Sequence, residues 1–180
     1  MDVISSTQSW VNKVIVKYNI CPFAKREVDR GSIRYCQDES TDIEGVLDRL
    51  SQEFELLNNQ PETETTLLVL SEACSDFDEF LDLVYLSNHL LQMLKYEGVY
   101  QLAHFHPDYC FEGDEPDAAS NYTNRSPYPT LHIIREASME KAIAAHQDVD
   151  AIPERNIAFL NKKGEAFCAE LLASCLMSSK

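Results

Sequence analysis

The stretch TTLLVL at residues 65–70 is the sequence signal that decides the fold. It is β-branched, continuous and short, which is typical of a strand that is buried on both faces. Such strands occur in sheets that have helices packed on them, because both faces must be shielded from water. The stretch therefore predicts an interior strand of a helix-covered sheet.

Helical patterns lie on both sides of this strand. Apolar spacing predicts a first helix from about Thr7 to Tyr18. A capping signature at 41–44 predicts a second helix, and acidic residues at 76–79 predict a long third one that reaches Glu97 and stops at Gly98. The segments on either side of residues 65–70 are thus expected to be helices.

Three more strands are predicted at residues 33–36, 99–105 and 130–135, and two or three helices close the chain. The predicted order is α-β-α-β-α-β-β-α-α. Helical crossovers favour parallel strands, whereas the third and fourth strands are expected to pair antiparallel across a long connection. We predict an α/β (or α+β) fold, with a small mixed sheet of about four strands, in a single domain over residues 1–180.

The charge balance limits the classes of partner. The 180 residues contain 15 Lys and Arg against 30 Asp and Glu, a net charge of −15. Such a chain repels nucleic acid and anionic membrane at long range, so we expect neither as a partner. Residues 1–36 are the exception, because their six cations exceed their three acids. A site near this segment could attract an anion.

Residues 1–6 contain an acidic residue where an export signal has a basic one. No segment has the long apolar run that predicts a membrane span. We therefore expect a cytoplasmic protein whose six cysteines are reduced thiols. Nothing in the sequence indicates a cofactor or an oligomeric state.

The segment 106–129 is the least regular part of the chain, and its aromatic residues and prolines argue against disorder. Ordered connections of this length are usually functional. Because it follows the third strand, it is expected at the carboxyl edge of the sheet, where ligands of open α/β sheets gather. This loop is the first place to look for a site.

Alternating polar residues suggest chemistry at the start of this loop. His106 and Asp108 share one strand face, and His132 lies across from them on the fourth strand. One hypothesis makes His106 the proton-transferring residue and Asp108 the group that orients its imidazole. A second makes His106, Asp108 and His132 metal ligands. In the structural alternative, Asp108 caps a turn and the histidines are satisfied structural groups.

Asn124, Arg125, Ser126 and Tyr128 are candidate substrate-binding residues in the same loop. Arg125 is a single cation among acids, and with its amide and hydroxyl neighbours it could clamp a carboxylate or phosphate. The alternative is a structural salt bridge that ties down the acidic loop.

Cys21 is the candidate nucleophile. It stands close to Lys25 and Arg26, which would favour the thiolate. The alternative is a buried structural thiol.

Several long motifs resemble the bacterial domain-of-unknown-function 1415 family. They are NICPFA at 19–24, TTLLV at 65–69, FHPDY at 105–109, TNRSPYPTLH at 123–132 and ERNI at 154–157. The resemblance spans nearly the whole chain. It implies little about activity, because the family has no established reaction.

Taken together, the residues predict a cytosolic enzyme that acts on a small polar or anionic molecule by histidine-assisted acid–base chemistry, with Cys21 as candidate nucleophile. One alternative is the metal-dependent enzyme. The other is a non-enzymatic binding or adaptor protein that uses its acidic surface. The expected partner is a small molecule.

Overall fold

The predicted strand at residues 65–70 lies inside a four-stranded sheet in a computed structural model that describes residues 2–146 and 148–176. The strands are β1 (Ile33–Asp38), β2 (Thr65–Leu70), β3 (Tyr100–Phe105) and β4 (Thr130–Arg135). The α-helices of the described residues are α1 (Val3–Trp10), α2 (Ala24–Arg30), α3 (Ile43–Asn59), α4 (Phe77–Met93), α5 (Glu136–Ala144), α6 (Ile152–Lys163) and α7 (Glu165–Leu176). A π-helical segment (Val11–Val16) continues α1, and short 3-10 turns occupy Ala119–Thr123 and Val149–Ala151.

The strand order is β1-β2-β4-β3. β1 and β2 are parallel, and β4 is antiparallel to both of its neighbours, β2 and β3. The predicted mixed sheet and the antiparallel pairing of the last two strands are confirmed. All six residues of β2 are buried, as expected for an interior strand between two helical layers.

Different helices pack on the two faces of the sheet. The first, here called the α3–α4 face, carries Leu68, Leu131 and Ile133, which pack with buried residues of α3 and α4. The second, called the α1–α7 face, carries Leu67 and Val69, which pack with the Val3–Val16 helix and with α7. Alternate residues of each strand therefore enter different cores.

The helix ends differ from the predictions where a local hydrogen bond or backbone angle decides them. α1 begins at Val3 instead of about Thr7, because the Asp2 carboxylate accepts hydrogen bonds from two N–H groups of the first turn. α4 ends at Met93, ahead of the predicted Glu97, and Lys95 then adopts a left-handed conformation with φ 61°. The short helix α2 was not predicted; none of its residues is buried, so it has no clear apolar stripe.

Among the described residues, no helix combines the length and the apolar character that a membrane crossing needs.

Leu68 lies in the middle of β2 and has no exposed surface. We expect Leu68→Ala to lower the free energy of unfolding by about 2–5 kcal/mol, because it removes apolar contacts and leaves a cavity. Urea denaturation measures the change. The control is Leu81→Ala on α4, whose side chain is 41% exposed, with an expected effect within about 0.5 kcal/mol. Equal losses in the two variants would contradict this assignment of the core.

Candidate functional site

A cavity of about 990 Å³ lies on the α1–α7 face. Its floor is formed by side chains of β2, β3 and β4. The segment 20–30, the helix α5 and the first turns of α6 line its other sides. Its volume is in the range of small-molecule sites. The polar side chains on its surface include Cys21, Thr65, Asn124 and His132.

His132 is part of the cavity floor. It is in β4, where Leu67 of β2 is its partner on one side and Ala103 of β3 on the other. All three residues line the cavity. Because Ala103 is small, it leaves space above β3 beside the imidazole ring. The ring is partly buried.

The hydrogen bonds of Thr65 determine which nitrogen of His132 carries a proton. The Thr65 hydroxyl donates to the carbonyl oxygen of Ile133, so its oxygen is free to accept. His132 Nε2 lies 2.7 Å from that oxygen. Nε2 is therefore assigned as the N–H donor, which leaves Nδ1 of the neutral ring as an unprotonated acceptor. No partner for Nδ1 exists within residues 2–146 and 148–176.

Burial on this apolar floor lowers the pKa of His132 to about 4. Desolvation disfavours the charged ring, so the imidazole is neutral at pH 7. The result is a neutral base with a fixed tautomer, whose free nitrogen can receive a proton from a molecule in the cavity.

Cys21 is half-buried and lines the same cavity. Burial raises the pKa of its thiol, and this outweighs the opposing effect of the backbone N–H groups of Phe23 and Ala24. Lys25 and Arg26 were predicted to favour the thiolate, but they are not among the groups that shift the pKa of Cys21. Cys21 is therefore a thiol at neutral pH.

The turn before Cys21 is held by α6. Arg155 donates to the carbonyl oxygen of Asn19, and the Asn156 amide donates to that of Ile20 at 2.7 Å. Asn19 has a left-handed backbone with φ 54°. The motifs NICPFA and ERNI, far apart in sequence, thus form one contact that positions Cys21 at the cavity.

His106 does not line this cavity, so the structure does not bring it together with Cys21 and Asn124. It is completely buried on the α3–α4 side of the sheet, against the rings of Phe77 and Phe80. Its Nε2 donates to the carbonyl oxygen of Cys74 at 3.1 Å, and its Nδ1 accepts from the backbone N–H of Asp108 at 3.0 Å. Both nitrogens are satisfied, so His106 is structural; its pKa is lowered by burial.

Asp108 orients this imidazole through its backbone, while its side chain is exposed. The predicted metal set is likewise not formed. His106 and His132 lie on opposite faces of the sheet: His106 packs against Phe80 of the α3–α4 core, whereas His132 lines the cavity on the α1–α7 face. In the described part of the chain, no three His, Cys, Asp or Glu side chains are placed to hold a metal ion.

Arg125 was predicted to bind an anion, but two of its donors are used within its own loop. Arg125 donates from Nε to the carbonyl oxygen of Tyr109 at 3.1 Å and from Nη2 to that of Pro116 at 2.7 Å. Its guanidinium also lies 4.6 Å from the ring centre of Tyr122. The donors of Arg125 therefore hold the acidic loop together, through carbonyl groups and not through the salt bridge considered above.

Ser126 and Tyr128, two further predicted binding residues, make contacts within the protein. The Ser126 side chain is completely buried and donates to the carbonyl oxygen of Tyr128 at 2.6 Å. Tyr128 packs against the α1–α7 core. Asn124 alone of the four predicted binding residues lines the cavity, where its amide donates to the carbonyl oxygen of His104 at 3.3 Å.

The sequence indicated His132 only as a metal ligand and indicated no role for Thr65 or Lys141, which both line the cavity. One signal was available for His132. It is a polar residue in the middle of an otherwise apolar strand, and such residues need a partner or a function. The cationic segment 1–36 includes Arg26 and Arg30, whereas no local pattern indicated Lys141, since its place depends on how α5 packs.

The fold and the cavity define a class: a mixed α/β protein with a ligand-sized cavity on one face of its sheet, and a neutral histidine on the cavity floor. The chain belongs to the family described as "Protein of unknown function (DUF1415)", whose family model matches residues 2–170. No curated protein and no solved structure matches the chain.

The lowered pKa of His132 makes stability depend on pH. The unfolded ring takes up a proton near pH 6.5 and the folded ring only near pH 4, so the unfolded state binds more protons in this window. The contribution of His132 to the free energy of unfolding is therefore complete above pH 7 and is lost toward pH 4. It amounts to about 2–3 kcal/mol.

His132→Gln keeps a donor for Thr65 and removes this titration. We expect the stability difference between the wild type and His132→Gln to shrink by that amount as the pH falls from 7 to 4. Urea unfolding at several pH values measures the difference. His89→Gln, at an exposed position of α4, is the control and should follow the wild type. Parallel curves for His132→Gln and the wild type would show that His132 is not buried in the neutral form.

Proposed function

We propose that this protein is an enzyme that acts on a small molecule in the cavity, and that His132 transfers a proton there. The observation that carries the proposal is the state of the imidazole: Nε2 is fixed by Thr65, and Nδ1 is an acceptor without a protein partner in the described chain. His106, by contrast, has both nitrogens satisfied by the protein. The buried Nδ1 atoms of His104 and of His146, which also lines the cavity, likewise have no partner among the described residues.

The chemistry follows from this arrangement. Nδ1 accepts a proton from an O–H, N–H or acidic C–H group of the bound molecule, which makes the ring an imidazolium. Thr65 keeps the ring oriented and continues to accept the Nε2–H bond while the positive charge forms. A bound anion near the ring raises the pKa of His132 from about 4 toward neutral pH, which makes it a more effective base.

Cys21 is the nucleophile available in the same cavity. Because burial favours its thiol form, a base must take its proton before it attacks. The positions of Cys21 and His106 on opposite sides of the sheet argue against the predicted partnership between them. We propose that any thiol chemistry in this protein uses His132 as that base.

The expected partner is a small molecule, and the acidic chain supports the inference that nucleic acid and anionic membrane are not partners. We infer a cytoplasmic location from the sequence features described above. The metal-dependent alternative is not carried further, because its three ligands do not meet.

A second candidate is a non-catalytic binding protein that uses the same cavity. The apolar side chains of Trp10, Ile15, Leu67 and Phe105 among the lining residues favour it, since retention of a ligand needs contact area more than chemistry. The two candidates differ in whether the bound molecule is changed.

Depletion of metabolites from a protein-free cell extract, followed by mass spectrometry, tests the enzymatic proposal. We expect the wild type to consume at least one compound at a rate that His132→Gln lowers by about 10²–10⁴-fold. His89→Gln should match the wild type. Consumption at an equal rate by His132→Gln, or a compound retained without being consumed, would contradict the enzymatic proposal; the second result would support the binding protein.

Cys21→Ser separates the two chemical roles in the same assay. If Cys21 is the nucleophile, we expect the variant to lose turnover as completely as His132→Gln does, because the two groups act in one step. Full activity of Cys21→Ser would exclude the thiol and leave proton transfer by His132 alone. Circular dichroism confirms that each variant is folded.

A further inference from the structure

The two ends of the cavity differ in charge. At the amino edge of the sheet, where β1 and β2 begin, Arg26 and Arg30 of α2 and Lys141 of α5 line the cavity. At the other end, toward the carboxyl end of β3, the lining residues include Phe105 and Phe111. A ligand that fills the cavity therefore meets mainly cations at one end, and aromatic rings together with the Asp114 carboxylate at the other.

The cationic groups at the amino edge have donors left for a ligand. Arg26 and Arg30 keep 70% and 52% of their side-chain surface exposed. Their nearest carboxylate is that of Glu27, at 3.6 and 3.7 Å, which is beyond a good hydrogen bond. Glu27 instead accepts a 2.6 Å hydrogen bond from the Ser32 hydroxyl. Lys141 forms no ion pair with any described residue.

Two carboxylates and a further cation also line this end. Glu27 and Glu64 oppose the binding of an anion, and Arg135 favours it. The guanidinium of Arg135 is occupied, since it donates to the carbonyl oxygens of Leu57 and Thr63. Cations still outnumber acids at this end, which is unusual in a chain with a net charge of −15.

The stretch between the two ends carries little charge. His132 is neutral and has Ala103 beside it, and farther along β3 the ring of Phe105 packs edge-on against Trp10 with 5.0 Å between ring centres. Strands β3 and β4, which contribute to the floor, have six residues each, and a strand of that length spans roughly 20 Å. A charged group in the middle would lose its hydration without a partner.

We propose that the molecule bound in the cavity is an elongated amphipathic anion. Its carboxylate or phosphate group contacts Arg26, Arg30 and Lys141 at the amino edge of the sheet, and its apolar body lies across the floor toward Phe105. This inference rests on the proposed function, because it assumes that the ligand occupies the cavity. It specifies the chemical class of the ligand and the orientation in which the ligand lies in the cavity.

Three probes with the same apolar chain test the charge of the end group: dodecanoate, dodecanol and dodecylamine, each below its micelle concentration. We expect calorimetry to show the tightest binding for dodecanoate and the weakest for dodecylamine. A variant that combines Arg26→Gln, Arg30→Gln and Lys141→Gln should bind dodecanoate about tenfold more weakly and dodecanol unchanged, because only the ionic contacts are lost.

Lys25→Gln is the matched control for Arg30→Gln alone, since each of these variants removes one cation of α2. Lys25 is a cation of α2 that pairs with Asp29 at 2.6 Å and is not among the lining residues, so its loss should leave the affinity for dodecanoate unchanged. An equal decrease in this variant would mean that the overall charge of the protein, and not the end of the cavity, attracts the anion. That result would overturn the proposal.

The remaining outcomes separate this proposal from the proposed function. Equal binding of the three probes, tighter binding of dodecylamine, or no binding of any probe would overturn the amphipathic anion. Metabolite depletion by the wild type and not by His132→Gln would then still support the enzyme. Ala103→Phe fills the space beside His132 and should abolish probe binding; unchanged binding would place the probes outside the cavity and overturn this proposal.

Discussion

The insertion of β4 between β2 and β3 is the constraint on which the rest of the structure depends. The antiparallel ladders on both of its edges place β4 inside the sheet, so its alternate side chains must enter two different layers. Leu131 and Ile133 complete the α3–α4 core. His132, the residue between them, is thereby directed to the centre of the opposite face, where the cavity lies.

An imidazole in that position is stable only because its environment satisfies it in one form. Thr65, two positions before the β2 partner of His132, provides the acceptor for Nε2–H, and burial removes the charge. The cavity exists because the Val3–Val16 helix and α7 cover only part of this face, and Ala103 adds no bulk beside the ring. The same packing that builds the fold therefore leaves His132 accessible to a ligand.

The loop 106–129 shows why a polar, irregular segment is not by itself a site. Its histidine, its arginine and its buried serine all donate to backbone carbonyl groups, which an irregular chain cannot satisfy with regular secondary structure. His106 and Arg125 look functional in the sequence because a structural hydrogen bond and a catalytic contact require the same residue types. The length of the loop explains its many polar residues, since each buried carbonyl group needs a donor.

Local patterns were enough to predict the four strands and most of the long helices, because β-branched runs, helical spacing and caps act over a few residues. The strands at 65–70 and 130–135 were predicted with their observed bounds, and Asp76 does cap α4. Only the tertiary structure decided the cavity. Cys21, Thr65, His132 and Lys141 come from distant parts of the chain, and their meeting depends on strand order and helix packing, which no local pattern encodes.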